Sequence, residues 1–167
     1  MAAYGYVKFF HIFFMAMWAM SAVGAYIFYL RATIFEVRDN PENEELKKRL
    51  VWAYEQFDKT VILEHIAFPL LLITGAILYY LGGWSLAQHW LLVKLVIVIG
   101  FFIPLELLDI WISHILGPRI TRRRNEFPDE WNSGRALHLK FLLKSSPMIR
   151  ITVPIVILLA AAKPVLW

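Results

Sequence analysis

Seven side chains able to do chemistry lie inside long apolar stretches of this sequence: His11, Glu64, His65, Lys94, Glu106, Asp109 and His114. A titratable group in hydrocarbon is costly, and such groups mark cofactor ligation, ion passage or proton relay. The 167-residue chain has no cysteine. That excludes disulfides, thiolate metal sites, a cysteine nucleophile and covalent c-type haem attachment. No G-x-S-x-G, H-E-x-x-H, G-x-G-x-x-G or Walker loop occurs, so hydrolytic and nucleotide-binding chemistry has no support.

The elements that must position these groups are membrane helices. The chain is 59% hydrophobic and 16% aromatic, with 18% charged residues, against about 25% charged in an ordinary soluble domain. A bilayer-crossing helix needs roughly 20 mostly apolar residues. Four stretches qualify, at 9–30, 61–81, 90–116 and 148–162, the last being short. The first is too long and aromatic for a signal-peptide core and reads as a retained span. Arg31, Gly82-Gly83, Gly117-Pro118 and Lys163-Pro164 close them. The expected fold is all-α: a single-domain integral membrane four-helix bundle with amphipathic cytoplasmic helices.

The net charge of +4 is explained by topology rather than by nucleic acid. Segments 31–60 and 118–147 hold Arg31, Arg38, Lys47, Lys48, Arg49 and Lys59, then Arg119, Arg122, Arg123, Arg124, Arg135, Lys140 and Lys144. The opposite side has Lys8 and Lys163. The positive-inside rule places both segments in the cytoplasm and both termini in the periplasm of a bacterial inner membrane. The run Arg122-Arg123-Arg124 then sits at lipid phosphates.

The segments carry helical patterning of their own. Leu46, Leu50, Ala53, Tyr54 and Phe57 recur at helical spacing, with Asn40 as the expected cap and Pro41 at the first helical position. In 129–144, Trp131, Leu137, Phe141 and Leu142 are expected as membrane-facing anchors of a second amphipathic helix. His138 is expected to be an ordinary surface residue.

Depth sorts the buried groups. His11 and Lys94 lie near the outer ends of spans one and three. His65 and His114 lie near the inner ends of spans two and three. Twenty residues, about 30 Å of helix, separate Lys94 from His114, so they cannot share one small cofactor. The possible pairs are His11 with Lys94 and His65 with His114. Haem b suits such a bundle, because neutral imidazole binds its iron and helices can supply flat apolar walls. His11, Met15, Trp18, Ala22, Ala25 and Tyr29 follow one helical face. Trp84 and Trp90 stand at the same outer level and also match an aromatic belt. Lys94 is either an iron ligand in neutral form, a partner for a cofactor carboxylate in charged form, or a snorkelling surface residue.

The segments Lys8-Phe9-Phe10-His11-Ile12 with Trp18, Ile66-Ala67-Phe68-Pro69 with Gly75, and Gly83-Trp84, Trp90 and Lys94-Leu95 together resemble the HemJ-type protoporphyrinogen oxidase family and related small four-span haem-b membrane proteins. The resemblance covers roughly the first two-thirds of the chain. It implies b-type haem and porphyrinogen oxidation, with His11 matching the family's first-span histidine and Lys94 its third-span lysine. The sequence departs from the family at Lys59-Thr60-Val61-Ile62-Leu63, where arginines are usual, and at Pro104-Leu105-Glu106, near the family's Tyr-His.

Three functions are therefore expected in competition. The first is a haem-b oxidoreductase or electron-transfer protein with His11 as metal ligand, Lys94, Trp18 and Trp84 lining the cofactor, and a quinone and a tetrapyrrole as partners. The second is a non-catalytic subunit of a larger respiratory or photosynthetic complex, or a homo-oligomer. The third is a proton or metal-ion transporter using Glu64, His65, Glu106, Asp109 and His114, in which His65 and His114 are the alternative metal ligands.

Overall fold

The structure, a computed structural model, describes residues 2–165. The side chains of Ala22, Val23, Ala25, Phe28 and Tyr29 lie outside the described residues. The expected single face running through Ala22, Ala25 and Tyr29 therefore falls outside them as well. Every regular element among the described residues is helical: α1 (Ala2–Gly24), α2 (Ala32–Asp39), α3 (Glu44–Leu81), α4 (His89–Ile97), α5 (Ile103–Ile110), α6 (Gly117–Arg122) and α7 (Pro128–Ala162). Widened π-helical turns at Ala25–Arg31, Val98–Phe102 and Trp111–Leu116 join α1 to α2, α4 to α5 and α5 to α6. Among the described residues, three helical runs are long and apolar enough to cross a membrane: Glu44–Leu81, His89–Arg122 and Pro128–Ala162.

The chain forms two compact units, Met1–Gly82 and Gly83–Trp167. In the first, α1 and α2 run antiparallel to α3 around a short turn at 40–43. The cap of α3 corrects one expectation. Asn43, not Asn40, starts the helix: its side chain accepts from Glu45 N–H at 3.0 Å and Leu46 N–H at 3.2 Å. Glu44 and Glu45 then complement the positive end of the helix dipole. Asn40 instead closes α2, its N–H donating to the Glu36 carbonyl. The predicted stripe is sound: Ala53, Tyr54 and Phe57 are buried, and Leu46 and Leu50 are half-buried. α3 runs without a break from this stripe into the apolar stretch and ends at Gly82, followed by Gly83 in the left-handed region (φ +60°) that favours glycine.

In the second unit, α7 packs back along the run His89–Arg122. Gly117-Pro118 does not end that run. Pro118 lacks the N–H that the His114 carbonyl would accept, and the wide turn Trp111–Leu116 absorbs the mismatch before α6 continues. Nor is 129–144 a separate helix lying on the membrane, because it is the first half of α7. Its inward stripe is Gly134, Arg135, His138, Leu142 and Ser145, all buried. Leu142 is therefore a core residue rather than a membrane-facing anchor, whereas Leu137 on the opposite face is exposed. Near the far end of α7, Leu159 packs with Trp90 and Leu91.

Candidate functional site

His11 is seated against α3. Its Nδ1 lies 3.1 Å from Thr74 Oγ1 and 3.2 Å from the Leu71 carbonyl oxygen. The Thr74 hydroxyl donates to the Leu70 carbonyl at 2.7 Å, so its oxygen accepts from the imidazole. Both neighbours of Nδ1 are thus acceptors, and the proton is assigned to Nδ1. The lone pair of the neutral ring then falls on Nε2, and the hydrogen bond made by one ring nitrogen decides which nitrogen can ligate a metal. Gly75 makes the approach possible: a Cβ there would stand 3.2 Å from His11 Cε1.

Seven residues on along α1, Trp18 meets Phe68, seven residues back along α3, with ring centroids 5.7 Å apart and planes at 43°. The two contacts share one antiparallel register. Helical heptad spacing brings both pairs to the same seam. Trp18 and Phe68 are buried and His11 is half-buried. Glu64 and His65 are also buried on α3. His65 precedes Gly75 by ten residues, about 15 Å of helix, so it does not join His11.

His11 belongs to the first unit and Lys94 to the second, and His65 and His114 are divided in the same way. Lys94 is half-buried on α4. Trp84 makes an edge contact with Trp90 at 5.5 Å, and Lys163 Nζ sits 4.1 Å from the Trp84 ring centroid and 5.8 Å from that of Trp90. These are an edge-to-face aromatic contact and a cation over the ring face. His114 is half-buried and borders an open groove on the Arg119 side of the helix.

The second unit also holds a polar seam, of which the sequence had singled out Glu106 and Asp109 but not the partners on α7. Glu106, Asp109 and Ser113 on one run, and Arg135, His138 and Ser145 on α7, are all buried. Ser113 donates to Asp109 Oδ1 at 3.5 Å. His138 Nε2 is 4.0 Å from the same oxygen, which is beyond direct hydrogen-bond length. Arg135 Nη2 donates to Thr121 Oγ1 at 2.9 Å. His138, expected at the surface, is 1% exposed. Of the apolar residues at 131, 137, 141 and 142, Leu137 is exposed, whereas Leu142 lies on the buried face. The polar positions 135, 138 and 145, at helical spacing, were the available signal. Thr74 and Gly75 likewise acquire meaning only once His11 is set opposite them.

The fold and these seams define a helical membrane protein. The chain belongs to the family of predicted integral membrane proteins designated DUF2269, whose model matches residues 5–164. No curated protein and no solved structure matches the chain. The family match supports a membrane protein embedded in a lipid bilayer, and it does not extend to the HemJ-type resemblance in particular.

Proposed function

We propose that the chain is a haem-b-binding membrane oxidoreductase or electron-transfer protein in which His11 would hold the haem iron. The seat of His11 carries this: a ring fixed through Nδ1 by Leu71 and Thr74 and laid against Gly75. One imidazole so held fits the donor chemistry that haem requires. By contrast, no group of three or more His, Asp or Glu among the described residues could hold a bare metal ion. Haem, when bound, supplies a one-electron redox couple. The protein's residues do the remaining work. The Thr74 oxygen and the Leu71 carbonyl fix the ring's orientation and tautomer and raise the basicity of Nε2. Gly75 lets the ring lie close to the helix. Trp18 and Phe68 fill the seam two turns along α1 and keep water from it.

Four spans, cytoplasmic long segments and periplasmic termini belong to the same proposal. The asymmetry of Lys and Arg between the two sides supports them. Oxidation of a porphyrinogen, with electrons passed to a quinone or respiratory subunit, is supported by the sequence resemblance alone.

The test is the absorption spectrum of the chain purified in mild detergent, oxidised and reduced. The expected result is a reducible b-type Soret and α band, lost in His11→Ala and shifted in midpoint potential in Thr74→Val. A colourless, folded preparation overturns the proposal.

The buried seam of Glu106, Asp109, Ser113, Arg135 and His138 favours a second reading, a proton pathway. Buried ionisable groups on facing membrane helices are the material of proton relays. Proteoliposomes carrying an internal pH dye separate the two. Proton flux lost in Asp109→Asn and kept in His11→Ala supports the relay.

A further inference from the structure

The end of the run His89–Arg122 carries a groove of about 450 Å³ lined by His114, Ile115, Pro118, Arg119, Arg122 and Arg123. Its size is within the usual range for small-molecule sites, roughly 300–1,000 Å³. The lining residues recur at spacings of three and four, so one helical stripe forms it. The stripe is divided along its length. Ile115 is exposed, as is Trp111 one turn before it on the apolar side. The guanidinium groups of Arg119, Arg122 and Arg123 follow toward the end of the run.

Two of those guanidinium groups are available. Arg123 is held by Glu130 at 3.3 Å and lies over the Phe127 ring at 4.2 Å. Among the described residues, neither Arg119 nor Arg122 has a carboxylate within ion-pair distance. Arginine recognises phosphate through paired N–H donors, and an apolar wall continuous with a membrane-spanning face suits an acyl chain. A free phosphate would use the basic end and gain nothing from Ile115, Pro118 and Trp111. We infer that this groove binds one anionic phospholipid, its phosphate on Arg119 and Arg122 and its glycerol and acyl portion along Pro118 and Ile115. The site is independent of any cofactor at His11.

Native mass spectrometry of the full chain in detergent tests this with phosphatidylglycerol, phosphatidylcholine and inorganic phosphate as probes. One phosphatidylglycerol is expected to be retained in preference to phosphatidylcholine. The exposed-surface variant Arg119→Gln/Arg122→Gln should bind it about thirtyfold more weakly. Lys140→Gln/Lys144→Gln, which removes two exposed charges from α7, should leave binding within about twofold of wild type. Equal retention of phosphatidylcholine, or unchanged binding in the arginine variant, overturns the inference. An equal loss in the lysine variant replaces the groove with diffuse surface charge. Displacement of phosphatidylglycerol by inorganic phosphate at comparable concentration also overturns it, in favour of a soluble anion.

Discussion

The two units place a histidine in their helical seams with opposite kinds of neighbour. His11 meets a main-chain carbonyl and a hydroxyl, both neutral acceptors. His138 lies 4.0 Å from a carboxylate oxygen, with Arg135 one turn before it on the same helix. Neutral acceptors fix a tautomer and direct a lone pair, which is what a metal ligand needs. A carboxylate within reach of an imidazole gives a proton two sites to occupy, which is what a relay needs. The same side chain is thus set in two different environments, suited to the two chemistries proposed above. The seams also differ in how they are held. Small and aromatic packing brings α1 to α3, whereas α7 meets its partner run across buried polar groups, for which low dielectric raises the stakes of every contact.

The largest effect should come from breaking the polar seam. Asp109→Ala leaves His138 and Ser113 buried without that carboxylate and should cost about 3 kcal/mol, since removing one partner from a buried polar set is strongly destabilising. Thermal unfolding in detergent measures it. The double variant Asp109→Asn/His138→Gln should recover part of the loss. A cost no greater than that of a surface substitution would mean that the seam is not energetically coupled.

The next effect sharpens the other side. Gly75→Val pushes a branched side chain into the His11 ring and should cost about 2 kcal/mol, in the range for overpacking. Gly100→Val, at a position where nothing lies within 4 Å of an added Cβ, should be close to neutral. If the two variants unfold at the same temperature, His11 is not seated on Gly75.

The smallest effect concerns the turn that joins α2 to α3. Asn43→Ala should lose about 1 kcal/mol through its cap hydrogen bonds. Asn40→Ala should change stability by only a few tenths, roughly the size of a surface substitution. The reverse order would return the cap to Asn40.

Much of the scaffold was legible in the sequence. Apolar runs of membrane length have few structural solutions, because backbone polar groups in hydrocarbon must be satisfied within the helix. The stripe Ala53, Tyr54 and Phe57 was legible from periodicity, and so was the end of α3 at Gly82-Gly83. The helix limits at Leu30 and Leu116 were not. Arg31 and Gly117-Pro118 look like stops, yet wide turns carry the helix through both places. A π-turn depends on how the next face must pack, and composition does not encode that.

The candidate site divides in the same way. The sequence by itself determined that His11 and Trp18 share one helical face and that Phe68 and Gly75 lie in the second apolar stretch. It also determined that Asp109 and Glu106 would have to avoid lipid. Only the tertiary structure decided that the His11 ring rests on Thr74 and Gly75, that Trp84 pairs with Trp90 under Lys163, and that His138 is interior. Periodicity marks which face of a helix a residue occupies. The partner is fixed by the register between helices, which is set by the sum of many weak contacts along the whole seam.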